Sequence, residues 1–463
     1  MKIDSRRSWP FLILSLAAVA VLAFGAGGCG QVRASNDHEL IVWESYNNEE
    51  HRVFDELARE PFQKWYQEKR GKALTVILGR VPFEGLLPKL KTACQTKTTP
   101  DLCRVDVTHV TQLAYGKALV ALDELAGFGG GTPEKLRSEY IPAAYDSNLI
   151  EVKRAGGGWE KHLFGLPDQT NCVCLFYNKR LFREEAERLK AAGCDPERPP
   201  ATWDEFQKYA RVMSVPSKNR FGFAMDNSLW WSLPFFNAWG ASFVGKDAQG
   251  NLRCTIAEAP ALEAFKFKVG LFRDRFAVDG VQTSAEAGAW IPGSVGPTQG
   301  FANSNYAMIL SGPWNLENLK GAAGVELGIG MVPAGPKGSW STTGGSNMVV
   351  FRQCKNPEAA YDFLRFITSA EFQKSWAERL GQIPVRADVL DKIDLSHKPE
   401  LAVFYKQMMA AQARPAVPGY DRLEELVNPE MELGLKGDKT PEQALGSAAK
   451  IVDEQVLSQV NEL

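Results

Sequence analysis

The sequence FANSNYAMILSGPWNL, residues 301–316, combines a short apolar run with a turn and a tryptophan. The apolar run, Tyr306 to Leu310, is five residues long, which is too short for a typical helix and suits a buried β-strand. Gly312 and Pro313 then end the strand and turn the chain. Trp314 thus follows the C-terminal end of a strand, where open α/β sheets bind their ligands. A core tryptophan after an ordinary turn fits the same residues equally well.

Outward from this stretch, short apolar runs alternate with segments of helical periodicity. From Glu49 to Arg70, apolar side chains recur at helical spacing, as in an amphipathic helix that Pro61 is expected to kink. Strands that alternate with helices predict an α/β fold with parallel sheets. The remaining predicted strands cover residues 39–46, 73–78, 102–107, 172–178, 221–226, 325–332 and 348–351. The Gly-, Ser- and Pro-rich stretch 281–300 is predicted to be a long mobile loop at the rim of a cleft.

Length and composition indicate the broad class of the protein. The chain has 463 residues, more than one domain usually holds, so two lobes are expected. Apolar residues make up 44% and charged residues 23%, which is typical of a globular protein. The formal net charge is −2 and no basic block is present, which argues against a nucleic-acid partner.

Residues 1–29 are predicted to be a signal peptide. Lys2, Arg6 and Arg7 form a positive start, and an apolar core follows from Pro10 to Phe24. Four small residues then precede Cys29, which resembles a lipoprotein signal in which that cysteine is lipidated and holds the protein at a membrane. A plain cleaved signal peptide is the alternative, because alanine stands where such signals usually have leucine. Residues 30–37 are interpreted as a polar tether, and the mature protein as exported, periplasmic or at the cell surface.

Four motifs in a fixed order carry a resemblance to a known family. A strand ending in Tyr-Asn-Lys at 177–179 precedes the Gly-Pro-Trp of residues 312–314. PATWDEF at 200–206 is similar to a P-x-T-W-D-E-F signature, and GQIPVR at 381–386 is similar to G-x-x-P-x-R. In this order the motifs resemble the extracellular solute-binding proteins of bacterial ABC importers, in the carbohydrate-binding branch that includes maltose-binding protein. The resemblance runs from about Glu39 to Val456.

The resemblance implies an α/β fold of the two-lobed, periplasmic-binding-protein-like type II class. The N-terminal lobe is expected to comprise residues 38–168 and 344–386, and the C-terminal lobe residues 169–343 and 387–463. Three crossings of the chain, near 172–178, 344–347 and 381–386, would form a hinge between the lobes. A ligand that binds both lobes would then stabilise a closed state.

The candidate ligand-binding residues lie after predicted strand ends and at the crossings. They are Trp43, Glu44, Tyr46, Asp106 and Thr108 in the first lobe, Trp230, Trp231, Trp239 and Trp314 in the second lobe, and Gly345, Ser346 and Arg386 at the crossings. Neighbouring residues on a helix do not face the same way, so Trp230 or Trp231 should reach a cleft or surface. Core packing is the alternative for each aromatic residue, and a structural ion pair at the hinge is an equal alternative for Arg386. Trp65, Trp203 and Trp376 are assigned to the core.

The expected function is capture of a sugar or oligosaccharide without chemistry, followed by delivery to the permease subunits of an ABC transporter. Aromatic faces suit the C–H groups of a sugar, while carboxylates and amides satisfy its hydroxyls. No cofactor and no metal is expected, and the resemblance implies a monomer. Alternatives are an importer component for another solute, such as a polyol, glycerol phosphate or polyamine, and a periplasmic enzyme that cleaves glycans.

An enzyme is the less favoured interpretation. The five histidines contain no i,i+4 pair, and the chain has no G-x-S-x-G or Walker motif. Carboxylates are abundant, as in any chain, so the sequence alone leaves a glycosidase pair open as the alternative.

Seven cysteines follow Cys29 in the sequence. Cys94 and Cys103 flank a polar turn and are candidates for a short disulfide loop, which would suit an oxidising compartment. Cys172 and Cys174 alternate on one predicted strand and are poorly placed to bond to each other. Cys194, Cys254 and Cys354 have no obvious partner, and an odd number leaves at least one thiol free or intermolecular.

Overall fold

The computed structural model describes residues 36–153 and 158–462. The predicted signal peptide, Cys29 and most of the predicted tether lie outside the described residues. No helix within the described residues is long and apolar enough to cross a membrane.

Seventeen β-strands are present in the described residues. In chain order they are β1 Glu39–Glu44, β2 Thr75–Arg80, β3 Leu102–Asp106, β4 Leu149–Lys153, β5 Trp159–Leu163, β6 Gly165–Cys172, β7 Cys174–Asn178, β8 Phe221–Ala224, β9 Val244–Lys246, β10 Leu252–Cys254, β11 Phe276–Val278, β12 Val281–Thr283, β13 Glu286–Ala287, β14 Tyr306–Ser311, β15 Leu327–Gly330, β16 Ser341–Val350 and β17 Ala411–Gln412.

Nineteen α-helices separate and cover these strands in the same residues. They are α1 Asn48–Phe54, α2 Glu60–Arg70, α3 Phe83–Thr96, α4 His109–Tyr115, α5 Pro133–Arg137, α6 Pro142–Asp146, α7 Lys179–Glu184, α8 Ala186–Ala191, α9 Trp203–Met213, α10 Leu229–Trp239, α11 Ala259–Arg273, α12 Pro297–Ala302, α13 Leu316–Lys320, α14 Pro357–Ile367, α15 Ala370–Leu380, α16 Leu401–Met408, α17 Tyr420–Lys436, α18 Pro441–Val452 and α19 Ser458–Glu462.

The first sheet has the strand order β2-β1-β3-β16-β6, with β17 paired to the start of β16. β1 runs parallel to β2 and β3, as the alternation of strands and helices predicts. β16 runs antiparallel to both β3 and β6, a departure that the alternation did not indicate. Leu40 and Val42 pack on one face of the sheet and Trp43 on the other, because successive side chains of a strand alternate.

The second sheet has the order β13-β8-β14-β7-β15, so β14 is its central strand. β14 is parallel to β8 and antiparallel to β7. All six residues of β14 are buried, which confirms the buried strand predicted from the apolar run. Its neighbour β7 is the predicted strand at 172–178, shortened at its start because Val173 separates β6 from β7. The chain therefore passes from the first sheet to the second within one residue.

Three local predictions differ from the structure. The helix expected over 49–70 is two α-helices joined by a π-helical turn at Asp55–Arg59, which ends just before Pro61, the residue whose missing N–H interrupts a regular helix. The loop expected over 281–300 contains β12, β13 and the start of α12. The residues 344–347, expected to precede a strand, lie inside the ten-residue strand β16.

The pair Gly344 and Gly345 explains how β16 runs on through residues 344–347. Gly345 has φ of +121°, and a Cβ built there would lie 2.2 Å from the carbonyl oxygen of Gln169 on β6. The register of β16 against β6 shifts between Ser346 and Asn347. Glycine inside a strand marks such a bulge or a close backbone approach, so the glycine pair continues the strand rather than ending it.

The cysteines after Cys29 are all free thiols. The disulfide considered for Cys94 and Cys103 is therefore wrong. Cys103 is fully buried within β3, where its thiol faces the carbonyl oxygen of Arg104 at 3.6 Å. Cys94, on α3, packs only at the edge of the same core cluster.

Trp203 and Trp376 are buried core residues, as predicted. Trp203 stacks on Phe235 with ring centroids 4.2 Å apart, and Trp376 stacks on Phe372. Trp65 is partly buried and stacks on Phe62. The division into lobes at residues 168, 343 and 386 stays a prediction.

Candidate ligand-binding site

Three tryptophans meet at one edge of the second sheet. β8 and β14 are parallel neighbours, so the segments that follow them emerge at the same edge. α10 follows β8 and carries Trp230 and Trp231, while Trp314 follows β14. The ring centroid of Trp230 lies 4.6 Å from that of Trp231 and 6.1 Å from that of Trp314, and Trp231 lies 6.5 Å from Trp314. We refer to these three residues as the indole cluster.

The indole cluster remains accessible. Trp314 is 49% exposed, which is unusual for so large an apolar side chain. Trp230 and Trp231 are half-buried, and their rings meet edge to face with an interplanar angle of 82°. Two adjacent helical residues thus face different ways and still share one aromatic surface.

The start of α10 is held by side chains that satisfy its free N–H groups. Ser228 Oγ accepts from the Trp231 N–H at 3.3 Å, as an N-cap does. Glu424 and Asn428, both on α17, accept from the N–H groups of Trp230 and Leu229 at 2.7 Å each. The first helical turn, which carries two of the indoles, is therefore fixed to α17.

A buried lysine holds the same turn from beneath. The Nζ of Lys268, on α11, donates to Asn227 Oδ1 at 3.0 Å and to Ser232 Oγ at 2.8 Å. Lys268 is 1% exposed and Glu286, on β13, is fully buried nearby. Burial raises the pKa of Glu286 to about 8, although Lys268 opposes the shift, and burial lowers the pKa of Lys268. Burial thus disfavours the charged form of both residues, and Lys268 is the one that contacts the turn.

Polar side chains meet where β3 of the first sheet ends. Asp106 Oδ1 accepts from the backbone N–H of Thr108 at 2.9 Å, from its hydroxyl at 2.7 Å, and from Arg414 Nη2 at 2.8 Å. Burial alone would raise the pKa of Asp106, but Arg414 and Thr108 lower it below its ordinary value. Asp106 is therefore an ionised carboxylate held by a cation from the far end of the chain.

The start of α17 adds three more polar residues. Asp421 Oδ2 lies 3.4 Å from His109 Nε2, and this contact lowers the pKa of Asp421. Burial raises the pKa of Glu424, against the opposing effects of the Trp230 N–H and of Arg414. The third residue is Tyr420, whose ring lies 5.7 Å from the Arg414 guanidinium carbon. The group, called here the polar cluster, comprises Asp106, Thr108, His109, Arg414, Tyr420, Asp421 and Glu424.

Three buried polar atoms of the polar cluster have no hydrogen-bond partner among the described residues: His109 Nδ1 and two donors. The donors are Arg414 Nε and the hydroxyl of Tyr420, a residue that is only 1% exposed. A buried donor without an acceptor costs about 1–3 kcal/mol, so such groups indicate a polar ligand or bound water. Glu424 contacts the Trp230 N–H and lies in the field of Arg414, so the polar and indole clusters adjoin.

A cavity of about 470 Å³, within the size range of small-molecule sites, is lined in part by the chain segment that contains Arg414. Its wall includes Gln412 and Pro415, which flank Arg414 in sequence, and Asn237 of α10. Glu151 of β4 and Lys246 of β9 border it and form an ion pair at 2.8 Å. Among the residues that the structure describes, no group of three or more His, Cys, Asp or Glu side chains is placed to hold a metal ion.

Of the candidate residues proposed from sequence, five occur in these two clusters. Trp230, Trp231 and Trp314 form the indole cluster, and Asp106 and Thr108 belong to the polar cluster. Their role in binding stays a prediction.

Three first-strand candidates are placed inside the protein instead. Trp43 is 8% exposed and packs in the core beneath Lys89, whose Nζ lies 4.2 Å from the ring centroid. Glu44 is fully buried and accepts from the Tyr46 N–H at 2.6 Å. The Tyr46 hydroxyl donates to the buried Asp168 at 2.5 Å. These side chains face protein partners because core clusters cover both faces of the first sheet at this point.

The other four candidates belong to neither cluster, although Ser346 is the register partner of Asp106. Trp239 ends α10 and packs on Phe267 with centroids 5.2 Å apart, more than two helical turns after Trp230. Gly345 and Ser346 are paired within β16 between β3 and β6. Arg386 donates to Glu139 Oε2 at 2.7 Å and to Asp388 Oδ1 at 2.8 Å. Arg386 therefore forms the structural ion pair considered as its alternative.

Sequence reasoning missed the residues near the C-terminus. Arg414, Tyr420, Asp421 and Glu424 lie in ARPAVPGYDRLEEL, a segment assigned only to tail helices. One feature of the sequence could have indicated these residues. A Pro- and Gly-rich turn directly precedes an amphipathic helix, with an arginine in the turn and carboxylates in the first turn of the helix. Nothing in the order of the chain places that turn beside residue 106.

Two sheets, a chain that crosses between them and an accessible aromatic-polar site define a two-lobed binding protein. The family model described as bacterial extracellular solute-binding protein matches residues 60–403. The chain belongs to this family.

Individual relatives are distant but span the chain. A binding protein of Brucella abortus is 22% identical over 454 residues, covering 96% of this chain and 98% of that protein. The sn-glycerol-3-phosphate-binding periplasmic protein UgpB of Pectobacterium atrosepticum is 26% identical over 450 residues, 94% of each chain. The sugar-binding protein MalE of Xanthomonas citri has a similar structure, with a TM-score of 0.71 and 21% identity over 92% of this chain and 98% of that chain. This last similarity concerns the fold.

Proposed function

We propose that the protein binds a sugar or short oligosaccharide at the junction of the indole and polar clusters and delivers it to the permease of an ABC transporter. The observation that carries the proposal is the contact between these two clusters. Indole faces offer apolar area for the C–H surface of a sugar ring. Carboxylates, Arg414 Nε and the Tyr420 hydroxyl supply acceptors and donors for its hydroxyls.

Several observations favour binding without turnover. The curated relatives are named as binding proteins, and one structural neighbour is named as a sugar-binding protein. The carboxylates of the polar cluster are engaged by His109, Thr108, Arg414 or the Trp230 N–H. We propose that the protein acts as an exported monomer, held at a membrane by a lipid on Cys29.

Glycerol phosphate is the second candidate ligand, because UgpB is a relative and Arg414 is a cation in the site. Arg414 is already paired to Asp106, however, and this pairing disfavours an anionic ligand such as a phosphate ester.

The test is a thermal-shift and calorimetric screen of the mature chain against sugars, oligosaccharides, polyols and phosphorylated sugars. A ligand at 100 times its Kd adds about 2.7 kcal/mol of stability, which gives a clear rise in Tm. We expect one carbohydrate class to give this rise with unit stoichiometry, and chromatography to show no product.

A pair of variants locates the site. Trp314→Ala should weaken binding about tenfold or more, because an exposed indole that stacks on a sugar is lost. Trp239→Phe, at the far end of α10, should bind as the parent does. No response to any carbohydrate would overturn the proposed function, and unchanged affinity in Trp314→Ala would overturn the proposed location.

A further inference from the structure

We infer that this site favours a carbohydrate that carries a protonated amine over its neutral counterpart, and that it rejects phosphate esters. The inference rests on the proposed function and adds the charge of the ligand. It follows from the balance of charged side chains around the indole cluster.

Acidic groups outnumber cations in the polar cluster. Asp106, Asp421 and Glu424 all lie in the electrostatic field of Arg414, the single arginine of the cluster. The positive charge of Arg414 is largely neutralised by Asp106, its ion-pair partner at 2.8 Å. His109 is in turn occupied by Asp421 at 3.4 Å. An anionic ligand would therefore meet surplus negative charge.

A free carboxylate lies in the segment between β8 and α10, just before the helical turn that carries Trp230 and Trp231. Asp226 follows the end of β8 by two residues and precedes Trp230 by four. It is half-buried and has no hydrogen-bond or ion-pair partner among the described residues. Burial raises its pKa, as expected for a carboxylate that no nearby cation compensates.

Indoles and a free carboxylate together suit an ammonium group. The face of a tryptophan attracts a cation, and a carboxylate gives it a charge-assisted hydrogen bond. The sugar hydroxyls would meet the two unpartnered buried donors, Arg414 Nε and the Tyr420 hydroxyl. Both kinds of ligand group thus find complementary side chains at one site.

A phosphate would find no comparable set of cations in the described part of the site. Recognition of phosphate usually uses converging arginines or free backbone N–H groups. The first N–H groups of α10 already donate to Ser228, Glu424 and Asn428. Arg80, another arginine of the first sheet, does not supply the missing cation. It ends β2, which is two strands from β3, and its side chain already donates to the Tyr46 carbonyl at 2.8 Å.

The experiment compares ligands that differ in one group. Glucose, galactose and mannose are titrated beside their 2-amino and 6-phosphate forms, and cellobiose beside the free-amine and N-acetylated glucosamine dimers. Titrations are run at pH 6.5, with the parent chain, Asp226→Asn and the control Asp204→Asn, an exposed carboxylate on α9. We expect the amine form of the bound sugar to bind about tenfold more tightly than its hydroxyl form.

The variants identify the group responsible. Asp226→Asn should bring the two affinities close together while neutral binding persists, and Asp204→Asn should retain the preference. Equal or tighter binding of the neutral or phosphorylated form, or a preference that survives both Asp226→Asn and Glu424→Gln, would overturn the inference and leave the proposed function standing. Failure of every carbohydrate to bind would overturn both.

Discussion

Arg414 Nη2 donates to Asp106 Oδ1 at 2.8 Å and thereby joins the end of β3 to the segment before α17. The two residues lie 308 positions apart in the chain. Both side chains are largely buried, so the pair is shielded from solvent and screened little by salt. Thr108 and His109 also contact Asp421 of α17, at 3.5 and 3.4 Å.

Removal of Arg414 should destabilise the protein and weaken binding together. Arg414→Met leaves Asp106 as a buried carboxylate without its cation, which costs about 3 kcal/mol. Urea unfolding measures that loss, and titration measures the affinity. Arg422→Met, an exposed arginine on α17, is the matched control and should change neither by much. An affinity unchanged in Arg414→Met would place the ligand elsewhere.

The same ion pair predicts a pH dependence at the acidic end. The pKa of Asp106 is lowered in the folded state, so its stabilisation is present above the unfolded pKa and is lost as pH falls through the folded one. The free energy of unfolding of the parent chain should therefore drop on acidification. Asp106→Asn should lack this part of the drop. If the unfolding free energy of both proteins fell equally with pH, the lowered pKa would not belong to Asp106.

Glu286 predicts a pH dependence of stability opposite in direction to that of Asp106. Burial raises its folded pKa to about 8, so the folded state holds a proton that the unfolded chain releases near its ordinary pKa. Its contribution is present at low pH and is lost as pH rises toward 8. Glu286→Gln should flatten this decline in unfolding free energy, whereas the exposed Glu68→Gln should retain it.

The ion pair of Glu151 and Lys246 should contribute little. Both side chains are exposed by more than 40%, and such pairs contribute about 0–1 kcal/mol. Glu151→Gln should change ligand affinity less than about fivefold, and the difference should vanish at high salt. A loss that persists in high salt would indicate a direct ligand contact.

Gly345 should not tolerate a side chain. Its φ of +121° and the 2.2 Å approach to the Gln169 carbonyl leave no room for a Cβ on β16. Gly345→Ala should destabilise by about 2 kcal/mol or more. Gly446→Ala, on α18 with open space around it, should instead stabilise by about 0.5–1 kcal/mol. Thermal unfolding of the two variants tests the contrast.

Much of the fold follows from local pattern. The apolar run at 306–310 predicted the buried strand β14, and Ser369 and Thr202 are the N-caps of α15 and α9. Thr202 and Glu205 have the spacing of a capping box, but the Glu205 carboxylate accepts from the Ala201 N–H instead. Local pattern specifies which element forms and leaves individual contacts to packing.

The site was only partly predictable for a physical reason. Trp230, Trp231 and Trp314 follow strand ends, and parallel neighbours bring such positions together. Trp43 and Tyr46 also lie at or just after a strand, but core clusters on the faces of the first sheet enclose them. Arg414 depends on a pairing across most of the chain, which no short window of sequence contains.

The position of β16 has a consequence for the growing chain. β3 pairs with β1 on one side and with β16 on the other, and β16 ends only at Val350. During synthesis β3 therefore keeps an unpaired edge until residue 350 has been made, and open edges invite association with other chains. N-terminal fragments that stop earlier should aggregate, and the complete first sheet is a late product of folding.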